Sequence, residues 1–183
     1  MSTEPMRRVA VVGSSGSGKT TFARRLAAKL DVPHIELDGL YWLADWQAVD
    51  RETFARRVSE AIAGDRWVTD GNYSVIRPIV FERVEVVVWL DLTLWTCLSR
   101  VIRRTIRRSR TGDELWSGTG NRESWRAAFG RKSLVWWLLT THRRRRREYA
   151  ALFEDPRNAH IRLHRFTSSA VADAWLERLP ASG

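Results

Sequence analysis

Cysteine is almost absent from this 183-residue chain, since Cys97 is the only one. A single thiol excludes an internal disulfide. Together with the short polar N-terminal segment Met1 to Arg8, it predicts a cytoplasmic protein without a secretory signal. Long apolar runs are missing as well: the longest, Leu134 to Leu139, is far below the ~20 residues of a membrane helix. We therefore expect no membrane partner.

Lysine is scarce too, because only three of the 31 basic residues are lysines and the others are arginines. With 21 acidic residues, the formal net charge is +10. Two explanations remain open: an arginine-rich composition with solvated helix faces, or an anionic partner. That partner would be the phosphates of a nucleotide or a nucleic acid, although the sequence holds no recognisable DNA- or RNA-reading motif.

Short apolar runs alternate with amphipathic helical stretches along the chain. The runs predict strands at 9–12, 34–38, 66–70, 84–90 and 160–166. The helical stretches are 19–30, 50–63 with Asp50 as N-cap, a helix capped by Thr93, 122–153 with Gly130 as a point of interruption, and 168–179. This alternation predicts an α/β fold over 1–183: a three-layer α/β/α sandwich around a five-stranded parallel sheet.

A glycine-rich segment follows the first predicted strand. Its residues, Gly13-Ser14-Ser15-Gly16-Ser17-Gly18-Lys19-Thr20, match the P-loop pattern G-x-x-x-x-G-K-[ST] in full. The glycines let backbone N–H groups turn toward phosphate oxygens, and the following helix points its positive end at the same anion. Lys19 suits the β- and γ-phosphates, and the Thr20 hydroxyl suits Mg²⁺. We therefore expect a P-loop NTPase that binds ATP and Mg²⁺, with residues 13–20 and Thr21 forming the nucleotide site.

A P-loop alone does not separate kinases from GTPases or motor ATPases. The chain lacks the Asn-Lys-x-Asp guanine signature and has little room for the additional parts of a motor. These absences favour a kinase. A nucleic-acid-associated NTPase and a nucleotide-sensing regulator with little turnover remain as alternatives.

Three acidic residues lie at the ends of predicted strands: Asp38, Asp70 and Asp91. Ligands of open parallel sheets bind at the carboxyl ends of the strands, so the three predict a shared site beside the P-loop. We assign Asp70 to the Mg²⁺ shell and Asp38 to the acceptor, where it would orient a hydroxyl or take its proton. Asp91 is interpreted as supporting structure or an indirect partner, although either Asp70 or Asp91 could be the main metal carboxylate.

Arginines are concentrated in the helix that follows Asp91. Arg100, Arg104 and either Arg107 or Arg108 share one helix face, and a segment with three glycines follows at 111–121, which predicts a mobile loop. We interpret 105–125 as a lid, with Arg100 and Arg104 neutralising charge on the transferred phosphoryl group; the alternative is a solvated basic helix face. The run at 143–147 sweeps roughly 500° of a helix, so its five arginines cannot all face one ligand.

Several of these segments resemble the adenylate-kinase-related P-loop kinases, and most closely the DNA topology modulation protein (FlaR-like) family. The resemblance covers about residues 9–179. The segments that carry it are the P-loop, Leu37-Asp38 with Tyr41-Trp42, the stretch 67–73 with its Asp-Gly-Asn-Tyr sequence, and Leu90-Asp91 followed by 97–104.

The resemblance implies a five-stranded core, a lid, and an acceptor site near the second strand. It implies that Asp70 lies near Mg²⁺ and that Arg100 and Arg104 bind phosphates. The reaction would move the γ-phosphoryl group of ATP to a small acceptor, with nucleotides and nucleosides as candidates. Ser74 stands where adenylate kinases carry their AMP-binding arginine, which argues against AMP. The expected acceptor pocket consists of Asp38, Tyr41, Trp42, Asn72 and Tyr73.

Overall fold

The computed structural model describes residues 6–116, 118–122 and 133–180. Within these ranges, the strands are β1 (Arg8–Gly13), β2 (His34–Glu36), β3 (Trp67–Asp70), β4 (Val86–Leu90), β5 (Glu114–Leu115), β6 (Asn121–Arg122) and β7 (Arg162–Phe166). Five of them form a parallel sheet in the order β2-β3-β1-β4-β7, while β5 and β6 form a separate antiparallel pair. The predicted α/β fold with a five-stranded parallel sheet is confirmed.

The helices of the described ranges are α1 (Lys19–Leu30), α2 (Leu37–Tyr41), α3 (Arg51–Ala61), α4 (Arg77–Arg83), α5 (Leu94–Thr111), α6 (Leu134–Glu154) and α7 (Ser169–Arg178). Two predicted N-caps are confirmed. The Asp50 carboxylate accepts the Thr53 amide hydrogen, and the Thr93 hydroxyl accepts that of Thr96. Short 3-10 turns occur at Ala44–Trp46 and Pro156–Asn158.

The sheet is buried on both faces, which explains its uninterrupted apolar strands. Alternate residues of β1 point to opposite sides: Val9 and Val11 pack with α1 and α7, whereas Ala10 and Val12 pack with α3, α4 and α6. The largest fully buried side chains are Trp67 and Phe54. The three layers hold the carboxyl ends of β1, β3 and β4 together at one edge of the sheet.

The second strand is shorter than the sequence predicts, and this corrects the placement of Asp38. β2 ends at Glu36, and Asp38 lies in the first turn of α2. The physical reason is Leu37, whose side chain is 3% exposed and lies against Gly71, where an added Cβ would be 2.8 Å from Leu37. The chain turns to bury Leu37, so the strand ends two residues earlier than predicted.

The segment predicted as a loop at 111–121 also differs. Thr111 still belongs to α5, and the strands β5 and β6 follow as a hairpin. The predicted break at Gly130, residue 117, and the 123–125 end of the predicted lid lie outside the described residues. No helix in the described part of the chain combines the length and the apolar character that crossing a bilayer requires.

Candidate active site

The glycine-rich segment wraps tightly from β1 to the start of α1. Gly16 has φ +80°, and a Cβ there would lie 2.2 Å from the carbonyl oxygen of Cys97 on α5, so only glycine fits. Within the segment, the Ser17 amide donates to the Ser14 carbonyl at 3.0 Å. The loop conformation is therefore fixed both by its own turn and by the helix packed behind it.

The polar groups of this segment fit an anionic ligand. Ser17 is 2% exposed, and its hydroxyl is buried without a hydrogen-bond partner among the described residues. A Cβ at Gly13 would come within 2.7 Å of that hydroxyl, so this loop conformation requires glycine at position 13. Within the described ranges, the Lys19 ammonium also has no hydrogen-bond or carboxylate partner. Buried polar groups without partners are rare, and here they line a turn suited to phosphate oxygens.

The end of the P-loop is joined to β3 by a hydrogen bond. The Thr20 hydroxyl donates to one Asp70 oxygen at 2.9 Å, and His34 Nε2 is hydrogen-bonded to the other at 2.7 Å. Asp70 is only 1% exposed. The hydroxyl and carboxylate are oxygen ligands of the kind that Mg²⁺ prefers. No cluster of three or more His, Cys, Asp or Glu side chains suited to a metal occurs in the described part of the chain.

His34 is a residue that the sequence analysis missed as part of this site. It stands at the start of β2, and β2 pairs in parallel with β3 so that His34 lies opposite Val68. Only the pairing of the two strands brings the imidazole to Asp70, so a polar residue at a strand start was the single available signal.

Four of the five residues predicted for the acceptor pocket lie together. The Tyr73 hydroxyl donates to Asp38 at 2.5 Å, and the Tyr41 ring is 4.7 Å from the Tyr73 ring and 4.9 Å from Trp42. Burial, followed by the charge of Asp38, raises the pKa of Tyr73 far above its usual range. The phenol therefore stays neutral and holds the carboxylate as a donor.

The fifth predicted acceptor residue, Asn72, lies beside the P-loop instead. Its side-chain amide donates to the Gly13 carbonyl at 3.4 Å and accepts from the Tyr149 hydroxyl. The Asn72 carbonyl in turn accepts from Arg145 at 2.8 Å. Asn72 thus ties the start of the P-loop to helix α6.

The helix spacing, the glycine-containing segment that follows and the family resemblance all predict a phosphate role for Arg100 and Arg104 of α5. Arg100 donates to the Ser17 carbonyl at 3.2 Å and to the Ser169 hydroxyl at 2.9 Å. It therefore lies between the P-loop and the first turn of α7. Arg104 follows one turn later on α5 and is half-buried.

Asp91, the third strand-end carboxylate, is engaged with two arginines. Arg146 Nε lies 2.9 Å from one of its oxygens, and Arg165 Nε donates to the other at 2.9 Å. The Asp91 side chain is 3% exposed. This arrangement agrees with the interpretation of Asp91 as supporting structure.

The β5–β6 hairpin contacts the segment 36–46, which includes Asp38, Tyr41 and Trp42, through residues that were not predicted as part of the site. Trp116 Nε1 donates to Glu36 at 3.1 Å, and the Trp116 ring packs edge-on to Trp46 at 5.8 Å. Asn121 accepts from the Trp46 amide and donates to the Leu43 carbonyl. Burial raises the pKa of the Glu36 carboxyl, with the charges of Asp70 and Asp38 acting in the same direction.

Comparison with known proteins gives structural matches alone. No protein-family model matches the chain, and no curated protein sequence matches it. A shikimate kinase from Bacteroides thetaiotaomicron is similar with a TM-score of 0.57 and 16% sequence identity, over 95% of this chain and 96% of that one. A gluconokinase from Sinorhizobium meliloti 1021 is similar with a TM-score of 0.50 and 21% identity, over 96% of this chain and 94% of that one. The fold is thus the one found in these P-loop kinases.

Proposed function

We propose that the chain is a kinase that transfers the γ-phosphoryl group of ATP to a small hydroxyl-bearing acceptor. The observation that carries the proposal is the Thr20–Asp70 hydrogen bond at the end of a complete P-loop. It joins the two groups that a Mg²⁺-nucleotide site needs, and the Asp38–Tyr73 pair supplies a candidate acceptor group. The two structural matches are a shikimate kinase and a gluconokinase, which supports the same reaction type.

In this proposal, residues 13–21 hold the nucleotide. The backbone N–H groups of the loop and the start of α1 bind the phosphates, and Lys19 adds a movable positive charge. Arg100, fixed against the Ser17 carbonyl, and Arg104 on the same helix stabilise negative charge as the phosphoryl group moves. Positioning and electrostatics of this sort account for most of the catalysis in phosphoryl transfer.

Thr20 and Asp70 are the residues that would hold Mg²⁺. A Mg²⁺ ion held by these oxygens would supply positive charge beside the phosphate oxygens. Asp70 is preferred over Asp91 because it contacts Thr20, whereas both oxygens of Asp91 are engaged with arginines. His34 orients the Asp70 carboxylate through its second oxygen.

Asp38 acts on the acceptor in this proposal. Its carboxylate accepts the hydroxyl proton of the acceptor while the freed oxygen bonds to the γ-phosphorus and ADP leaves. The neutral Tyr73 hydroxyl fixes one Asp38 oxygen and leaves the other for the acceptor. Tyr41 and Trp42 supply an apolar wall beside this group.

We further propose that 105–125 forms a lid within a single domain. The Trp116–Glu36 and Asn121–Leu43 hydrogen bonds support this, because they join the hairpin to the acceptor side. Closure of such a segment excludes water from the reacting groups. Membership of the adenylate-kinase-related kinases, and of the FlaR-like family within them, is part of the same proposal and rests on the quoted motifs.

A nucleic-acid-associated NTPase is less well supported by the arginine run at 143–147. Arg144 is paired with Glu148, Arg145 turns inward to the Asn72 carbonyl, and Arg146 is paired with Asp91. The run therefore does not form a continuous basic stripe along which a phosphate backbone could lie.

The test is a transfer assay with γ-labelled ATP and Mg²⁺ over nucleosides, nucleoside monophosphates, sugars and hydroxy acids. We expect label to appear on one acceptor class, and to disappear from it in Lys19→Ala. Lys29→Ala is the matched control, because Lys29 lies on the same helix and donates to the Glu177 carbonyl. Transfer that survives in Lys19→Ala would contradict the proposal, as would ATP hydrolysis that only DNA stimulates.

A further inference from the structure

A basic groove lies between helix α6 and the edge strand β7, and it shares no lining residue with the P-loop site. Its volume is ≈ 300 Å³. Four arginines and one alanine line it: Arg143, Arg146, Arg147, Ala150 and Arg165. Arg146 and Arg147 come three and four residues after Arg143, and Ala150 comes four and three residues after them, so these residues share one face of α6.

Two of the four arginines are held rigidly. Arg146 and Arg165 both bind the buried Asp91 carboxylate, and Arg165 also lies over the Trp89 ring at 4.5 Å. Arg146 uses its Nε in this contact, and no described residue accepts a hydrogen bond from its terminal nitrogens. The side chains of Arg146 and Arg165 are 49% and 43% exposed, so their donors are accessible from the groove.

The other two arginines, Arg143 and Arg147, are exposed. Among the residues that the structure describes, neither has a carboxylate or a hydrogen-bond partner. Among the described residues, Asp91 is the carboxylate bound to the lining arginines, so four guanidinium groups and one carboxylate give three excess positive charges there. Like charges held this close repel one another, and a bound anion removes that repulsion.

We propose that this groove is a second anion-binding site, which takes a small phosphorylated metabolite separately from the nucleotide at the P-loop. Planar guanidinium groups bind phosphate oxygens through paired hydrogen bonds, and two of the groups are already oriented. The excess of three positive charges matches a phosphomonoester or pyrophosphate group. The groove is open to solvent, which suits a small charged group rather than an enclosed ligand.

A nucleic acid fits the groove less well. Single strands bind through exposed aromatic rings as well as charge, and the aromatic side chain beneath Arg165, Trp89, is 3% exposed. The neighbouring arginines of the helix do not extend the groove, because Arg144 pairs with Glu148 and Arg145 turns toward Asn72. The charge is therefore confined to an area suited to one phosphate group or two.

The test is calorimetry with inorganic pyrophosphate, without Mg²⁺, on the full chain carrying Lys19→Ala to weaken uptake by the P-loop. We expect the added double change Arg143→Gln and Arg147→Gln to lower the affinity about tenfold or more, since two charge-assisted contacts are lost. Neither side chain has a structural partner among the described residues, so the variant keeps the fold, which circular dichroism checks.

The matched control is the double change Arg56→Gln and Arg144→Gln, which removes the same charge from pairs with Glu60 and Glu148. It should bind pyrophosphate like the parent. Equal affinities in the two double variants would overturn the proposal. The proposal would also be overturned if the affinity for a single-stranded oligonucleotide depended on Arg143 and Arg147 while the affinity for pyrophosphate did not. That result would indicate a nucleic-acid surface.

Discussion

The Thr20 hydroxyl lies 2.9 Å from an Asp70 carboxylate oxygen, although the two residues are 50 positions apart in the chain. Thr20 belongs to the first turn of α1, and Asp70 ends β3, the strand beside β1. The parallel pairing of β1 with β3 thus brings a hydroxyl and a buried carboxylate to the place where the P-loop ends. Such a pair is what a Mg²⁺-nucleotide complex requires of the protein.

Replacing the carboxylate tests the metal role. Asp70→Asn keeps the size of the side chain and its contact with Thr20, but it removes the negative charge. We expect roughly a 100-fold loss of phosphoryl transfer and a higher Mg²⁺ requirement, measured as the rate against Mg²⁺ concentration. Asp173→Asn, an exposed carboxylate on α7, is the control and should behave like the parent. An unchanged Mg²⁺ dependence in Asp70→Asn would contradict the assignment.

Gly16→Ala tests the packing of the P-loop on α5. The added Cβ would meet the Cys97 carbonyl at 2.2 Å, in a backbone region with φ +80° that alanine rarely adopts. We expect a stability loss of about 1–3 kcal/mol in chemical denaturation, together with loss of ATP binding. Gly64→Ala meets no atom within 4 Å and should be neutral or slightly stabilising. Similar effects of both changes would show that the loop is not constrained in this way.

The buried thiol predicts a pH dependence of stability. Burial raises the pKa of Cys97 to about 11, so the thiol stays neutral in the folded chain while that of the unfolded chain ionises above pH ~8.5. The unfolded state therefore loses its proton first, and stability falls as the pH rises from about 8.5 to 11. Urea unfolding across this range should show a contribution of about 3 kcal/mol from this group. Cys97→Ala should show a shallower slope, and equal slopes would contradict the prediction.

The strands and the P-loop could be predicted from the sequence because their signals are local. Val9 to Gly13 is a buried apolar run, and the residues after it match a fixed pattern. The contacts of His34 and Asp91 could not be predicted in the same way. They depend on which strands pair and on how α6 crosses the sheet, which no short segment records. The prediction that Asp38 ends the second strand is wrong, because burial of Leu37 against Gly71 ends β2 at Glu36 and Asp38 lies in α2.

Trp116→Phe tests whether the hairpin contributes to the acceptor site. Phenylalanine keeps a ring beside Trp46 but cannot donate to Glu36. We expect the KM for the acceptor to rise about tenfold while the KM for ATP stays unchanged, since the lost bond lies on the acceptor side. Trp95→Phe changes a tryptophan that is 75% exposed and should alter neither constant. An equal rise in both KM values would instead place the hairpin over the nucleotide.

Calorimetric titration with Mg·ATP shows whether residues 13–20 bind the phosphates of a nucleoside triphosphate. We expect one saturable binding event, with slower amide exchange over that segment, and loss of both in Lys19→Ala. A parent chain that shows neither heat nor protection would contradict it, as would a Lys19→Ala chain that binds Mg·ATP equally well.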